Sequence, residues 1–344
     1  MTGPAPTDVD SGKARLKRAF FWLRLSAALA ILAWVIHANG RGRILETLAG
    51  AKPVWVALGA LLFFLSVLAG AYQWFLLLRI QGIAMGYGAC FRAYYSGMFL
   101  NNFLPGTVGG DALRVYEAKR GADGWGKAVA ATFLDRLIGF FSLSLMSLVA
   151  VTAALWRRTL DQSVFRHLLY AVGLVFGIFV LVLVLLLSQR IAALVNSLIA
   201  RTGMRWLAEA HNRMQGILQV YRARWRDMLW IGAVSCFVQA LRINVHWFSG
   251  IALGIGISPV FFFCFIPVIA LAGVVPLNVG GWGIPQSIGT YLYTLPGVLE
   301  VPDVNATAAA LALLPSAVGR VVMLGGGVYF VAGRGQKQGK NNPN

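Results

Sequence analysis

Long apolar runs, each bounded by charged or Gly/Pro-rich stretches, organise this chain from end to end. Val54–Leu78 runs for 25 residues with only Ser66, Tyr72 and Gln73 as polar interruptions, and Leu168–Leu187 has nothing more polar than Tyr170. A helix needs about 20 such residues to cross a bilayer, whereas barrel strands alternate over segments of about 10. Continuous runs therefore predict helices. Six full spans are expected, at 19–38, 53–78, 128–155, 167–188, 228–254 and 304–332. Two further apolar stretches, 87–120 and 258–297, are broken by Gly and Pro and do not read as single spans. The first span contains Arg24 and its apolar run does not end in an A-x-A cleavage site, so it is expected to be retained rather than removed as a signal peptide. The expected fold is an all-α polytopic membrane protein. It has a basic segment at 1–18, one transmembrane domain at 19–333 and a polar tail at 334–344.

Composition agrees with that pattern: 58% of residues are hydrophobic and 12% charged, against about 25% charged in soluble domains. The net charge of +18 raises nucleic acid as a partner, but the basic residues sit in short loops between apolar runs. Twenty fall on one side and six on the other, the six being Arg41, Arg43, Lys52, Arg157, Arg158 and Arg166. Such a bias places both termini in the cytoplasm and argues against a nucleic-acid partner. Cys90, Cys236 and Cys264 form no CxxC pair and the four histidines no HExxH, so no disulfide framework, metal site or cofactor is read.

The charge parity holds only if the two broken stretches return to the side they left, which makes them candidate re-entrant hairpins entering from opposite sides. A repeat points the same way. Pro105-Gly-Thr-Val108-Gly109-Gly110 and Pro276-Leu-Asn-Val279-Gly280-Gly281 share P-x-x-V-G-G at a separation of 171 residues. Repeat 1 would cover about 19–155 and repeat 2 about 167–333, each as span, span, hairpin, span. Three spans per half invert the second half relative to the first, a plan that recurs among secondary transporters.

Arg136, Arg242 and Arg320 lie deep within apolar spans. Each costs about 2.5–3.5 kcal/mol even on the lenient insertion scale, so such residues face protein or a wet cavity. Guanidinium also grips phosphate in two-pronged fashion. Ser235, Gln239, Arg242, His246 and Ser249 follow at steps of four and three, forming one polar helical stripe that suits a cavity wall. Asp135 and Arg136 are adjacent and point in different directions. Structural pairing of an arginine with Asp111, Asp135 or Glu117 is the alternative reading, and it weighs most for Arg136. Helices starting after the Gly-Gly breaks would present free N–H groups to an anion. Asn101 and Asn102 before the first break and Asn278 within the second supply polar lining. Asp111 would be either a cap or a proton carrier. The two glycine pairs, with Arg136 and Arg242 beside them, are expected to line one shared cavity.

The stretch Asn102-Phe-Leu-Pro105-Gly-Thr-Val-Gly109-Gly110-Asp111-Ala-Leu-Arg114 resembles the F-L-P-G-x-x-G-G-D-x-x-R signature of the lysylphosphatidylglycerol synthase transmembrane-region family, also called the flippase-like domain family. Asp135-Arg136-Leu-Ile-Gly139 is similar to its D-R-x-x-G element, and Pro276 through Gly283 to its P-x-x-x-G-G-x-G motif. The resemblance implies an integral protein of the bacterial inner membrane. It also implies a role in moving an anionic phospholipid or polyprenyl-phosphate-type lipid between leaflets, with Arg114 added to the site. Pro285-Gln286 stands where the family usually has an Arg-Glu pair, which removes a charge there. The polar tail to Asn344 leaves no room for an aminoacyl-transferase domain, so synthesis of lysylphosphatidylglycerol is not expected. An anionic lipid is the expected partner; a homo-oligomer or a lipid-biosynthesis enzyme is left open. Competing readings are a lipid-linked glycosyltransferase, a small-anion transporter and an accessory scaffold of envelope biosynthesis. The first is disfavoured by 12 acidic residues in all, of which Asp111, Glu117 and Asp135 lie near the site and form no DxD pair.

Overall fold

In a computed structural model, residues 26, 29–104, 108–156, 162–202, 204–273 and 282–332 are described, and among them the chain is helical throughout, with no strand. Both terminal segments, Arg24, and the breaks at 105–107 and 274–281 lie outside the described residues. The helices are α1 (Leu29–Ala38), α2 (Arg41–Ala49), α3 (Pro53–Ile80), α4 (Tyr87–Asn101), α5 (Val108–Lys119), α6 (Trp125–Trp156) and α7 (Gln162–Leu187). They continue as α8 (Gln189–Thr202), α9 (Arg205–Ala223), α10 (Trp225–Ala252), α11 (Pro259–Ala272), α12 (Ile284–Tyr293) and α13 (Val304–Leu324), which resumes after a turn at Gly325. Five are long and apolar enough to cross a membrane: α3, α6, the Arg166–Leu186 part of α7, α10 and Val304–Ala332. The remaining expected span is described only from residue 26 onward, as the short apolar helix Leu29–Ala38.

Local chemistry sets the ends. Pro53 occupies the first turn of α3, where its missing N–H costs nothing. The Asp303 carboxylate accepts from the Ala306 N–H and caps α13. The arginine-rich stretch between the expected spans 167–188 and 228–254 is not a plain loop but carries the helix pair α8–α9. Its apolar residues recur at helical spacing but are too few and too interrupted to show as a span.

α3 and α10 pack antiparallel along their lengths. The Lys52 N–H donates to the Ala252 carbonyl at 2.8 Å, and Gly59 lies against Val245 and Phe248. α4 and α5 form a hairpin whose ends meet where the Ala84 N–H donates to the Gly121 carbonyl at 3.3 Å. α11 and α12 pack together as a second hairpin. The first opens after α3's C-terminus, the second after α10's. Because α3 and α10 are antiparallel, the hairpins are rooted at opposite ends, about 42 Å apart along a 28-residue helix. Contacts are exchanged between halves: α4 touches α13 while α11 touches α6. Each hairpin has its own core, one around Trp74, Tyr94 and Leu134, the other around Phe262, Tyr293 and Leu311.

The borders of the two breaks meet on α13. Asn102 Nδ2 donates to the Arg320 carbonyl at 3.4 Å, and the Arg320 guanidinium lies 5.3 Å from the centre of the Trp282 ring.

Candidate functional site

Asp111 and Arg114 are three residues apart on α5 and so share a face. Across from them, adjacent Asp135 and Arg136 on α6 diverge, and each takes a different partner. Arg136 grips Asp111 with two prongs, Nη2 to Oδ1 at 2.8 Å and Nε to Oδ2 at 3.0 Å. Arg114 Nη2 donates to Asp135 Oδ2 at 2.7 Å and its Nη1 to Asp111 Oδ1 at 3.2 Å. Gln73 Nε2 donates to Asp135 Oδ1 at 2.9 Å. The Arg114 guanidinium sits 4.6 Å from both the Trp74 and Tyr94 ring centres. Two cations and two anions thus cancel, and the crossed pairs clamp the first hairpin onto α6. Arg114 is only 2% exposed. Arg114, one of the twenty basic residues assigned to loops on the cytoplasmic side, is therefore no loop charge: its charge is consumed inside the protein.

A cavity of about 300 Å³ opens beside this clamp, between the two cores. Its polar wall consists of Gln73, Tyr94, Asp135 and Arg136 together with Gln239, Arg242 and His246 of the α10 stripe. Its apolar wall includes Phe63, Phe140 and Leu143, with Ile266 and Ala270 from the second hairpin and Pro315 from α13. Gln239 Nε2 donates to the Gly139 carbonyl at 3.1 Å, an approach that a side chain at residue 139 would crowd. Arg242 Nη2 donates to Tyr94 Oη at 3.3 Å, while its buried Nε and the buried His246 Nδ1 have no hydrogen-bond partner among the described residues. Arg242 and Arg320 take part in no ion pair among the described residues.

A family profile described as "Lysylphosphatidylglycerol synthase TM region" matches residues 21–324. The chain belongs to this family. A UPF0104 membrane protein of Methanothermobacter thermautotrophicus is 24% identical over 298 residues, covering 83% of this chain and 88% of that protein. A UPF0104 membrane protein of Pyrococcus horikoshii is 23% identical over 193 residues, 55% of this chain and 53% of its own.

In this member of the lysylphosphatidylglycerol synthase transmembrane-region family, Arg136, Gln239, Arg242 and His246 come together at one cavity. Gly109 and Gly110 are not on its wall. A Cβ at Gly109 would run into the Leu104 side chain, and one at Gly110 into the Gly97 carbonyl. The Gly110 N–H donates to Asn101 Oδ1 at 2.9 Å. The first Gly-Gly pair and Asn101 thus close the hairpin on itself, with the Gly110 amide held by Asn101. Asn102 and Arg320 stand at the hairpin borders, away from the cavity wall. Asn278, Gly280 and Gly281 lie outside the described residues. Gln286, where a charge is usual in the family, accepts from the Gly283 N–H at 2.8 Å and donates to Ser316 Oγ at 2.9 Å, which caps α12. Tyr94 and Gln73 were not singled out from sequence. A glutamine inside an otherwise apolar span was the available signal for Gln73. Nothing local marked Tyr94, which reaches Arg242 only because Gly70 leaves room for its hydroxyl.

Proposed function

We propose that this protein is a flippase-like lipid transporter of the bacterial inner membrane, N-in and C-in, whose cavity holds an anionic lipid head group on Arg242. One observation carries the reading: among the described residues Arg242 lines the cavity without an ion pair, and the carboxylate on the same wall, Asp135, is already taken by Arg114 and Gln73 within a four-charge cluster neutral in itself. An uncompensated guanidinium in that setting is costly, and an anion with acceptor oxygens relieves the cost by accepting from its free N–H groups. Gln239 and His246 flank it on the same stripe. Phe63, Phe140, Leu143 and Ile266 provide a surface compatible with the lipid's apolar part. Arg136, held by Asp111, positions the wall rather than gripping the head group. Arg320, stacked on Trp282 between the hairpin borders, likewise makes no ion pair among the described residues.

The test is head-group movement between leaflets in proteoliposomes carrying wild type or Arg242→Gln. Hydrogen bonds to a charged group contribute about 1.5–3 kcal/mol, so transport is expected to fall about tenfold to a hundredfold. Thermal stability should be unchanged or raised, since no carboxylate is orphaned. Wild-type rates in the variant would overturn the reading.

A further inference from the structure

The α8–α9 pair is absorbed by neither the cavity nor the clamp. It folds back on itself, with Asn196 Nδ2 donating to Asn212 Oδ1 at 2.9 Å and a His211 ring nitrogen 3.2 Å from the Ala192 carbonyl. Only Ser188 separates α8 from the membrane-crossing α7, and only Arg224 separates α9 from α10. The inner face of α9 is fastened to span ends. Arg222 Nη2 donates to the Leu186 carbonyl at 2.7 Å, Gln81 Nε2 to the Ile217 carbonyl at 2.9 Å and Tyr221 Oη to the Leu77 carbonyl at 3.2 Å. The pair therefore cannot stand away from the bilayer edge. Exposed Trp225 and Trp230 at the start of α10 mark the same level, as interfacial tryptophans do.

Its outward face is both apolar and basic. Leu194 and Leu198 of α8 are 60% and 51% exposed, and Trp206 of α9 is 68% exposed. Arg190 lies one turn before Leu194, and Arg213 follows Trp206 by two turns; both are exposed. Residues 189–230 contain seven arginines against Glu209 and Asp227. From this we infer that the α8–α9 pair is an interfacial belt that binds the anionic lipid surface of the leaflet at the protein's arginine-rich end. Leu194, Leu198 and Trp206 enter the head-group boundary, and Arg190 and Arg213 contact lipid phosphates. An acidic protein would complement the arginines but leave the interleaved leucines and tryptophan unexplained. A bilayer satisfies both, and the covalent tethers hold the face against it. This inference does not depend on the transport reading.

Amide hydrogen exchange of the full-length protein tests it, in nanodiscs of phosphatidylcholine alone and of an equimolar mixture with phosphatidylglycerol. Exchange across 189–202 is expected to slow at least about fivefold in the mixture, with each of Arg190→Gln and Arg213→Gln reducing the difference by about fivefold, the equivalent of about 1 kcal/mol. Leu194→Ser with Leu198→Ser should speed exchange in both lipids while leaving the clamp region 108–136 unchanged, which shows that the fold is intact. Equal exchange in the two lipids would overturn the inference. So would a lipid difference that survives both arginine substitutions, or protection that depends on the number of protein copies per disc, which would assign the face to a second copy.

Discussion

Arg114 is buried and Arg242 half-buried, yet their surroundings give them opposite energetics. Arg114 is held by two carboxylates and two aromatic rings, so Arg114→Met leaves Asp135 buried without a cation. That substitution is expected to cost about 3–5 kcal/mol, read as a large drop in unfolding temperature in detergent. The double variant Arg114→Met/Asp135→Leu leaves Asp111 and Arg136 as a neutral pair and should recover most of the loss. A simple sum of the two single effects would refute the crossed-pair reading. At the opposite end, Arg43 donates to Asp303 at 2.8 Å and, with the Ala306 N–H, holds that carboxyl below its usual range. A lowered folded pKa means stabilisation present above the unfolded carboxylate pKa and lost as pH falls through the folded value. Asp303→Asn keeps the helix cap but not the charge. Its melting temperature should sit slightly below wild type at neutral pH and converge with it on acidification below pH of about 4. A gap that persists in acid would assign the effect to the cap alone.

At the scale of elements, small residues decide how closely the first hairpin closes. α4 and α5 approach at Gly97 and Gly110 so tightly that either glycine's Cβ would meet the other's backbone. Gly110→Ala is therefore expected to cost about 1–3 kcal/mol as overpacking, measured by thermal unfolding. Gly173→Ala, in a helix with open space around it, should be neutral or stabilising by up to about 1 kcal/mol. Equal responses at the two positions would remove the tight-packing account. The same geometry directs the Gly110 N–H onto Asn101 Oδ1.

For the whole molecule, the two hairpins are rooted at opposite ends and bordered by residues that meet at Arg320. On the proposed N-in, C-in orientation, a single cysteine at Arg213 should be labelled by impermeant reagents only from the cytoplasm. One at Glu300, near the root of the second hairpin, should be labelled only from outside. Labelling of both from one side would refute opposed hairpins. The position of the cavity, between one core built by each hairpin, follows from the exchanged contacts of α4 with α13 and α11 with α6.

Periodicity and composition alone determined that the chain is helical and membrane-spanning, because apolar length and charge placement are local quantities that the bilayer reads directly. The stripe Gln239, Arg242 and His246 was legible for the same reason: residues three and four apart share a helix face wherever that helix goes. The sequence also showed that Asp135 and Arg136 could not neutralise each other. It could not show that Arg114 and Asp111 cross over to meet them, since partners 21 and 25 residues away are chosen by hairpin packing. The sequence weighed structural pairing most for Arg136, yet it could not show that Arg114 is neutralised while Arg242 makes no ion pair. That distinction depends on which carboxylates the fold brings within reach of each guanidinium, and only the tertiary structure decides it.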